Sequence, residues 1–137
     1  GVLRLDRAAF EGICDLAFRE YPLEMCGLIT GEPGSDHAAE FTPCRNVAES
    51  AKIYSIDPME FMRIEDAADE RGWEINGVVH SHTHSEPYPS PTDVAQAVDP
   101  GWHYVIVSLK RDAPELRSYR IVDGVVAEEP VELVEDA

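Results

Sequence analysis

Two histidines and an aspartate are spaced as ligands of a metal ion. His80-Ser81-His82 ends a predicted strand, and side chains two residues apart on a strand point to the same face, so both imidazoles can converge on one point. Asp93 follows in the first turn of a predicted helix. Two imidazoles and a carboxylate leave one position open for water, as in catalytic zinc sites. A plain strand end and a helix cap explain the same residues, so H-x-H alone is a weak signal.

A serine and a distant glutamate extend this pattern. The segment from His80 to Asp93 follows H-S-H-x7-S-x2-D, with Ser90 as its serine, and Glu24 lies just before a predicted strand. Together these residues resemble the JAMM (MPN-plus) metallopeptidase family, whose members include deubiquitinating enzymes of the proteasome lid and the signalosome. Non-catalytic MPN scaffolds lack the full ligand set, which this sequence contains.

Further segments are similar to one bacterial branch of that family, the hydrolases that release cysteine from a sulfur-carrier protein. The similarity extends along almost the whole chain. The segments that resemble this branch are Pro22–Gly27, Tyr54, Tyr88–Ser90, Thr92–Val94, His103–Val105 and Leu116–Gly124.

The resemblance implies a fold and a role for each site residue. It implies an α/β (mixed α+β) domain, an MPN/JAMM-like mixed sheet with flanking helices and a cytidine-deaminase-like architecture. His80, His82 and Asp93 match the zinc ligands. Glu24 matches the glutamate that takes a proton from the zinc-bound water and passes it to the leaving amine. Ser90 matches a serine that donates a hydrogen bond to the oxyanion, and it is equally suited to cap the following helix.

The resemblance also implies the partner. It is a ubiquitin-like sulfur-carrier protein that ends in Gly-Gly and has one cysteine attached, an intermediate of cysteine biosynthesis. A thin tail of this kind can pass through a narrow groove and bind by strand addition.

Other functions remain open at the level of the sequence. A related peptidase would trim a different C-terminal extension or an isopeptide bond from a ubiquitin-like protein, and a binding module would keep the fold without turnover. Non-haem iron oxygenases also use two histidines and a carboxylate, but they are usually double-sheet β-barrels. A zinc deaminase needs Pro-Cys-x-x-Cys, of which Pro43-Cys44 supplies only the first half.

Neighbouring polar residues have simpler interpretations. His84 continues the pattern to H-x-H-x-H, and its position in a loop favours substrate contact or exposure over metal binding. Cys26 lies near Glu24, but it lacks a free histidine to activate it and is expected to be a small buried side chain. His37 is expected at the surface, and His103 is expected to pack in the interior.

The pattern of helices and strands predicts how these residues are positioned. Apolar spacing, turn residues and capping signals predict three helices and a series of strands, with Asp57 and Glu60 forming a capping box. The predicted helices are Asp6–Tyr21, Asp57 to about Arg71, and Ser90 to about Val98. The predicted strands are Met25–Thr30, Ala38–Val47, Ile75–His82, Trp102–Leu109, Leu116–Val122 and Val125–Val134, the last two joined by an Asp123-Gly124 turn.

Composition limits the remaining possibilities. The 137 residues, 44% of them hydrophobic, are expected to form one domain over 1–137. A net charge of −16 disfavours nucleic acid and anionic membranes as partners. It indicates a soluble protein, adaptation to high salt, or a basic partner. Three cysteines without a CxxC pair, and the absence of a long apolar run, predict a cytoplasmic protein. The oligomeric state is not predicted.

Overall fold

The computed structural model describes residues 1–135, which form three helices and nine strands. The predicted single domain includes two further residues, 136 and 137, which lie outside this range. Within it, no helix is both long enough and apolar enough to cross a bilayer. The helices are α1 (Arg7–Glu20), α2 (Pro58–Glu70) and α3 (Pro91–Gln96). The strands are β1 (Leu3–Asp6), β2 (Cys26–Gly31), β3 (His37–Ala38), β4 (Glu40–Cys44), β5 (Glu74–His82), β6 (His103–Ser108), β7 (Glu115–Val122), β8 (Val125–Glu129) and β9 (Val131–Val134).

Six strands form a mixed sheet in the order β4-β2-β5-β6-β7-β8. Strand β5 is antiparallel to β2 and parallel to β6. The register places Cys26, at the beginning of β2, opposite His80, near the end of β5. The segment that precedes β2 and contains Glu24 therefore lies beside the histidine-bearing end of β5. The predicted mixed α+β class is confirmed.

The two faces of this sheet are covered by different helices. On one face, Ile29, Val79 and Val105 belong to an apolar cluster that includes Ile13 and Ala17 of α1. On the other face, the alternate residues Leu28, Val78 and Tyr104 contact a cluster that includes Phe61 and Ile64 of α2. This alternation is expected for strands that are buried on both faces. The sheet is thus a rigid central layer whose strand ends present the site.

Three short strands form a second sheet in the order β3-β1-β9, all parallel. Leu3 and Leu5 of β1 are fully buried in the same cluster as α1. Sequence reasoning missed β1, because its four residues pair only with segments that are distant along the chain. The predicted strand Val125–Val134 is instead two strands in different sheets. They separate at Pro130, which cannot donate a backbone hydrogen bond.

Two other local predictions differ from the structure. The predicted strand Ala38–Val47 is confirmed only in part, because it is divided into β3 and β4 and ends at Cys44, after which the chain turns into a loop. Asp57 makes no side-chain cap at the start of α2. Glu60, the predicted partner in that capping box, accepts a hydrogen bond from the backbone of Arg45 instead.

The remaining helix boundaries match the predictions within two residues. The predicted two-residue turn between β7 and β8 is confirmed, with positive φ at both Asp123 (49°) and Gly124 (77°). In β2, a Cβ atom on Gly27 would lie 2.4 Å from the ring of Phe41. Only glycine therefore allows β4 to pack closely at this end of the sheet.

Candidate active site

His80 and His82 project from the end of β5 into one site, whereas Ser81 between them points away. The Ser81 hydroxyl accepts a 2.8 Å hydrogen bond from the backbone N–H of Met25, and the Ser81 N–H donates to the Met25 carbonyl at 3.1 Å. Strand alternation accounts for this division of side chains. The two bonds fix the chain next to Glu24 against the strand that carries the histidines.

Asp93 enters the site from the first turn of α3. The Ser90 hydroxyl accepts a hydrogen bond from the Asp93 N–H at 3.1 Å, and Asp93 Oδ2 accepts one from the Ser90 N–H at 2.8 Å. This reciprocal capping box confirms Ser90 as the N-cap. It also fixes the rotamer of Asp93, so the carboxylate is oriented before any ion binds.

Three side-chain atoms form a nearly equilateral triangle. Asp93 Oδ2 lies 3.2 Å from His80 Nε2 and 3.1 Å from His82 Nε2, and the two nitrogens are 3.2 Å apart. For a tetrahedral zinc ion with ligand distances of about 2.0 Å, neighbouring ligand atoms lie about 3.3 Å apart. The triangle therefore matches one face of a zinc coordination tetrahedron, with the fourth vertex open. The structure brings the three predicted ligands together.

Surrounding contacts orient both imidazoles. His82 Nδ1 lies 2.8 Å from the carbonyl oxygen of Glu86. A proton on Nδ1 satisfies this bond and leaves Nε2 as the ring nitrogen that would bind a metal. The ring of Tyr54 stacks on His80, with centroids 4.5 Å apart and an interplanar angle of 23°. Tyr54 thus limits the rotation of His80.

Burial and hydrogen bonding change the pKa values of the three predicted ligands in different directions. Burial lowers the pKa of His80 despite the adjacent Asp93 carboxylate. Burial also acts to lower the pKa of His82, but the contacts with Asp93 and the Glu86 carbonyl outweigh it and the pKa is raised. Burial acts to raise the pKa of Asp93, yet hydrogen bonds from both histidines hold that pKa well below its usual range. Asp93 is therefore a carboxylate at neutral pH, as a metal ligand requires.

Glu24 lies in the same cleft without a hydrogen-bond partner for one oxygen. The residue is only 4% exposed, and its Oε1 has no partner among residues 1–135. Burial raises the pKa of Glu24 to about 8. A buried carboxyl oxygen without a partner costs stability, and such groups are concentrated at functional sites. This oxygen is free to hold or accept a proton beside the three predicted ligands.

A cavity of about 300 Å³ opens beside Glu24. It is bordered by His82 and Ser90 and by two short chain segments that face each other, Ala51–Lys52 and Thr83–Ser85. The Thr83 hydroxyl donates to the Ala51 carbonyl at 3.3 Å and joins the two walls. His82, Glu24 and Ser90 thus line this cavity, and His80 and Asp93 lie directly behind His82.

Asn46 is the organising residue that sequence reasoning missed. Its buried amide nitrogen lies 3.0 Å from the carbonyl oxygens of both Glu24 and Ile53. Its side-chain oxygen accepts hydrogen bonds from the N–H groups of Ala48 and Ser55 at 3.0 and 3.1 Å. The sequence offered one signal, an asparagine at the start of a polar, turn-rich stretch. Its hydrogen-bond partners are backbone atoms, and the sequence does not indicate which backbone atoms a side chain will contact.

The remaining histidines and Cys26 lie outside the predicted ligand set, and their hydrogen bonds and burial indicate other roles. The exposed His84 lies 3.1 Å from the Thr83 hydroxyl through Nδ1 and 3.1 Å from the Tyr21 hydroxyl through Nε2, at the rim of the cavity. Cys26 is fully buried and burial raises its pKa to about 12, so it is not a thiolate nucleophile. The predicted interior position of His103 is confirmed. His37 lies at the surface as predicted, with its side chain 36% exposed, and its ring pairs with Asp6.

Comparison with known proteins places these residues in a family. Residues 6–122 match the family model described as prokaryotic homologs of the JAB domain. A CysO-cysteine peptidase from Mycobacterium tuberculosis is 43% identical over 120 residues, which cover 87% of this chain and 82% of that protein. A desampylase from Haloferax volcanii is 36% identical over 88 residues, which cover 64% of this chain and 63% of that protein.

Solved structures agree on the fold. The solution structure of a protein from Desulfitobacterium hafniense superposes with a TM-score of 0.86 and 30% identity, over 99% of this chain and 94% of that chain. A crystal structure of a JAB1/MPN domain protein from Archaeoglobus fulgidus has a TM-score of 0.64 and 22% identity, over 95% of this chain and 99% of that chain. The predicted MPN/JAMM-like architecture is confirmed.

Proposed function

Because the chain belongs to the JAMM family, as one of the prokaryotic homologs of the JAB domain, we propose that it is a zinc-dependent peptidase that releases cysteine from a ubiquitin-like sulfur carrier. The bond it hydrolyses is the amide between the carrier's C-terminal Gly-Gly and the cysteine. Support comes from the 43% identity to a CysO-cysteine peptidase. Three buried cysteines, unpaired among residues 1–135, support a reducing, cytoplasmic location.

One observation supports this proposal most directly. The triangle formed by His80, His82 and Asp93 has the edges of a tetrahedral zinc site. The unpartnered Oε1 of Glu24 lies in the same cleft. A structural zinc site would use a fourth protein ligand. Three ligands with an adjacent free carboxyl oxygen favour hydrolysis over a structural role.

Each residue has a part in the reaction. When bound, zinc supplies a nucleophilic water at neutral pH and polarises the scissile carbonyl. Glu24 accepts the proton of the attacking water and delivers it to the departing amine. The Ser90 hydroxyl uses its oxygen to cap Asp93, so its hydrogen is free to donate to the oxyanion. One hydroxyl thus caps α3 and stabilises charge at the same time.

The position of Glu24 orients the substrate. Because Glu24 protonates the departing amine, the amino acid that leaves occupies the cavity of about 300 Å³ beside Glu24. The carrier tail then lies on the opposite side of the ligands, where Tyr54 faces His80. An apolar groove of about 200 Å³ extends there between Tyr54, Phe61 and Trp102. It has room for an apolar residue of the tail ahead of the Gly-Gly.

A related activity is the second candidate. The 36% identity to a desampylase favours cleavage of a different extension, or of an isopeptide bond, from a ubiquitin-like protein. Both activities use the same zinc ligands and the same Glu24. They differ in the group that must fit the cavity beside Glu24, a single amino acid in one case and a longer or branched chain in the other.

A substrate panel separates the two candidates. The zinc-loaded protein is incubated with a Gly-Gly-Cys carrier, with the same carrier bearing a four-residue extension, and with lysine-linked di-ubiquitin. Intact-mass measurements should show loss of one cysteine from the first and little change in the other two. Equal cleavage of the longer extension would favour general trimming instead.

A further inference from the structure

The cavity beside Glu24 contains a lysine with no assigned role. Lys52 and Lys110 are the only lysines in the sequence. Lys110 pairs with Glu86 at 3.2 Å, outside this cavity. Lys52 lines the cavity and forms no ion pair within residues 1–135. It is therefore a cation free to meet a ligand in the cleft of a protein whose net charge is −16.

The backbone around Lys52 is firmly positioned. The Ser50 hydroxyl accepts hydrogen bonds from the N–H groups of Lys52 and Ile53, at 3.0 and 3.2 Å. The Ser50 carbonyl accepts from the Glu24 N–H at 2.8 Å. The base of the lysine side chain is thus coupled to the backbone of Glu24. A loop fixed in this way places the base of the lysine side chain at a defined position relative to Glu24.

The opposite wall of the cavity, Thr83–Ser85, has fewer groups free to bind an anion. Both ring nitrogens of His84 already have hydroxyl partners, on Thr83 and Tyr21. Ser85 contributes its carbonyl to a 2.6 Å bond from the Ser108 hydroxyl. Among the residues that border this cavity, Lys52 is the one lysine or arginine.

The departing group has a matching charge. A cysteine joined to the carrier through its α-amine keeps a free α-carboxylate. Glu24 places that amine at the mouth of the cavity, so the carboxylate lies within it. The acidic surface would repel this anion unless a local cation offset the repulsion. On the basis of the proposed function, we infer that Lys52 binds the α-carboxylate of the departing amino acid and thereby selects carriers extended by one residue.

The length selectivity follows from chain geometry. Each additional residue moves the terminal carboxylate by up to about 3.5 Å. The lysine stem can follow a small displacement, but the loop that bears it cannot, because its backbone is hydrogen-bonded to the Glu24 segment. A longer extension thus loses the charged contact and keeps the contacts to the carrier.

The experiment compares two substrates that differ only at this carboxylate. One carrier ends in Gly-Gly-Cys with a free carboxylate, and the other ends in the corresponding cysteinamide. The wild-type protein should favour the acid at least about tenfold in kcat/KM, as expected for a hydrogen bond between charged groups. Lys52→Gln should reduce this preference to about onefold. It should do so by slowing hydrolysis of the acid and leaving that of the amide unchanged.

Two matched variants complete the experiment. Lys52→Arg keeps the charge and should keep most of the preference for the acid. Arg4→Gln removes one positive charge from an exposed position in the other sheet and should behave as wild type. An unchanged acid-to-amide ratio in Lys52→Gln would overturn the inference while leaving the proposed function intact. Failure of the wild-type protein to release an amino acid from either carrier would overturn both.

Discussion

The side-chain amide of Asn46 donates a 3.0 Å hydrogen bond to the backbone carbonyl of Glu24. Through its other bonds, the same amide organises residues 48–55. One buried residue thus connects two segments. One is the loop that forms a wall of the cavity, and the other contains Glu24, the proposed proton carrier.

Replacing Asn46 should damage both stability and turnover. Asn46→Ala leaves the buried carbonyl of Glu24 and three partly buried backbone groups without this partner, which should cost about 2–4 kcal/mol of unfolding free energy. We also expect at least about a tenfold loss in kcat, because Glu24 is no longer positioned. Bound zinc should remain near wild type, since no ligand changes. Denaturation, elemental analysis and turnover are measured on the same preparation.

Asn76 provides the matched control. It is also 5% exposed, and it donates to the His37 carbonyl at 3.1 Å, near the opposite end of β5. Asn76→Ala should lower stability without reducing kcat of the folded fraction. Equal losses of turnover in the two variants would contradict a specific role for Asn46.

Removing a ligand should remove the metal. His80→Ala and His82→Ala should each lose most of the bound zinc, because two ligands form an incomplete shell. Asp93→Asn separates metal binding from helix capping, because its amide oxygen can still accept the hydrogen bond from Ser90 and keep α3 capped. Elemental analysis of dialysed protein is the measurement. Full zinc retention in all three variants would refute the assignment, whereas His103→Ala should keep its zinc.

The stability of the metal-free protein should fall as pH rises. Burial raises the pKa of Glu24 from 4.5 in the unfolded chain to about 8 in the folded protein. A raised pKa means that the folded state favours the protonated form. The stabilisation is therefore complete below pH 4.5 and is lost progressively as pH approaches 8. Thermal unfolding after chelation, between pH 5 and pH 9, should show this decline on an order of several degrees.

Glu24→Gln should reduce that decline, because glutamine is neutral throughout, and the raised pKa of His82 accounts for a smaller decline that remains. Glu20→Gln, an exposed change at the end of α1, should keep the wild-type slope. Zinc should flatten the wild-type slope as well, since a nearby cation favours the carboxylate. A slope that Glu24→Gln leaves intact would show that another group titrates.

A second buried cluster, formed by Glu129, Ser118 and His103, should determine how the stability of the fold decreases at acidic pH. Glu129 accepts hydrogen bonds of 2.7 Å from the Ser118 hydroxyl and from His103 Nδ1. Burial acts to raise the pKa of Glu129, but these bonds outweigh it and the pKa is lowered. The stabilisation is thus present above the unfolded pKa and is lost as pH falls through the lower, folded value.

Glu129→Gln should therefore weaken the dependence of stability on pH below about pH 5 and lower stability at pH 7 by about 1–3 kcal/mol. Glu128→Gln is the control. Its partner is the exposed Arg117, and surface pairs of this kind contribute little. The unfolding free energy of both variants is measured as a function of pH. The same dependence in the two variants would contradict the role assigned to Glu129.

Much of this site follows from local sequence, because its chemistry is encoded in short spacings. Alternation along β5 directs His80 and His82 together, and the first turn of α3 places Asp93. What local patterns do not contain is the pairing of distant segments. The position of Glu24 depends on the register between Cys26 and His80, and the role of Asn46 depends on backbone atoms supplied by several parts of the chain.

The errors in the predicted fold have the same origin. Residues 125–134 show the composition of one long strand, but Pro130 interrupts its hydrogen bonding, and β9 then pairs with β1 from the other end of the chain. The sequence predicts a strand that continues through residues 45–47 because no glycine or proline ends it there. The side chain of Asn46 instead stabilises a loop by replacing backbone pairing.

Cysteine release by wild-type protein and by Glu24→Gln tests the central claim most directly. Both proteins are loaded with zinc, verified by elemental analysis, and incubated with a Gly-Gly-Cys carrier whose intact mass is followed over time. The wild-type protein should remove one cysteine. Glu24→Gln, with the same zinc content, should do so at least about 100-fold more slowly, as expected for lost acid–base catalysis. A zinc-loaded wild-type protein that leaves the carrier intact, or a Glu24→Gln variant within a few-fold of wild type, would contradict the account.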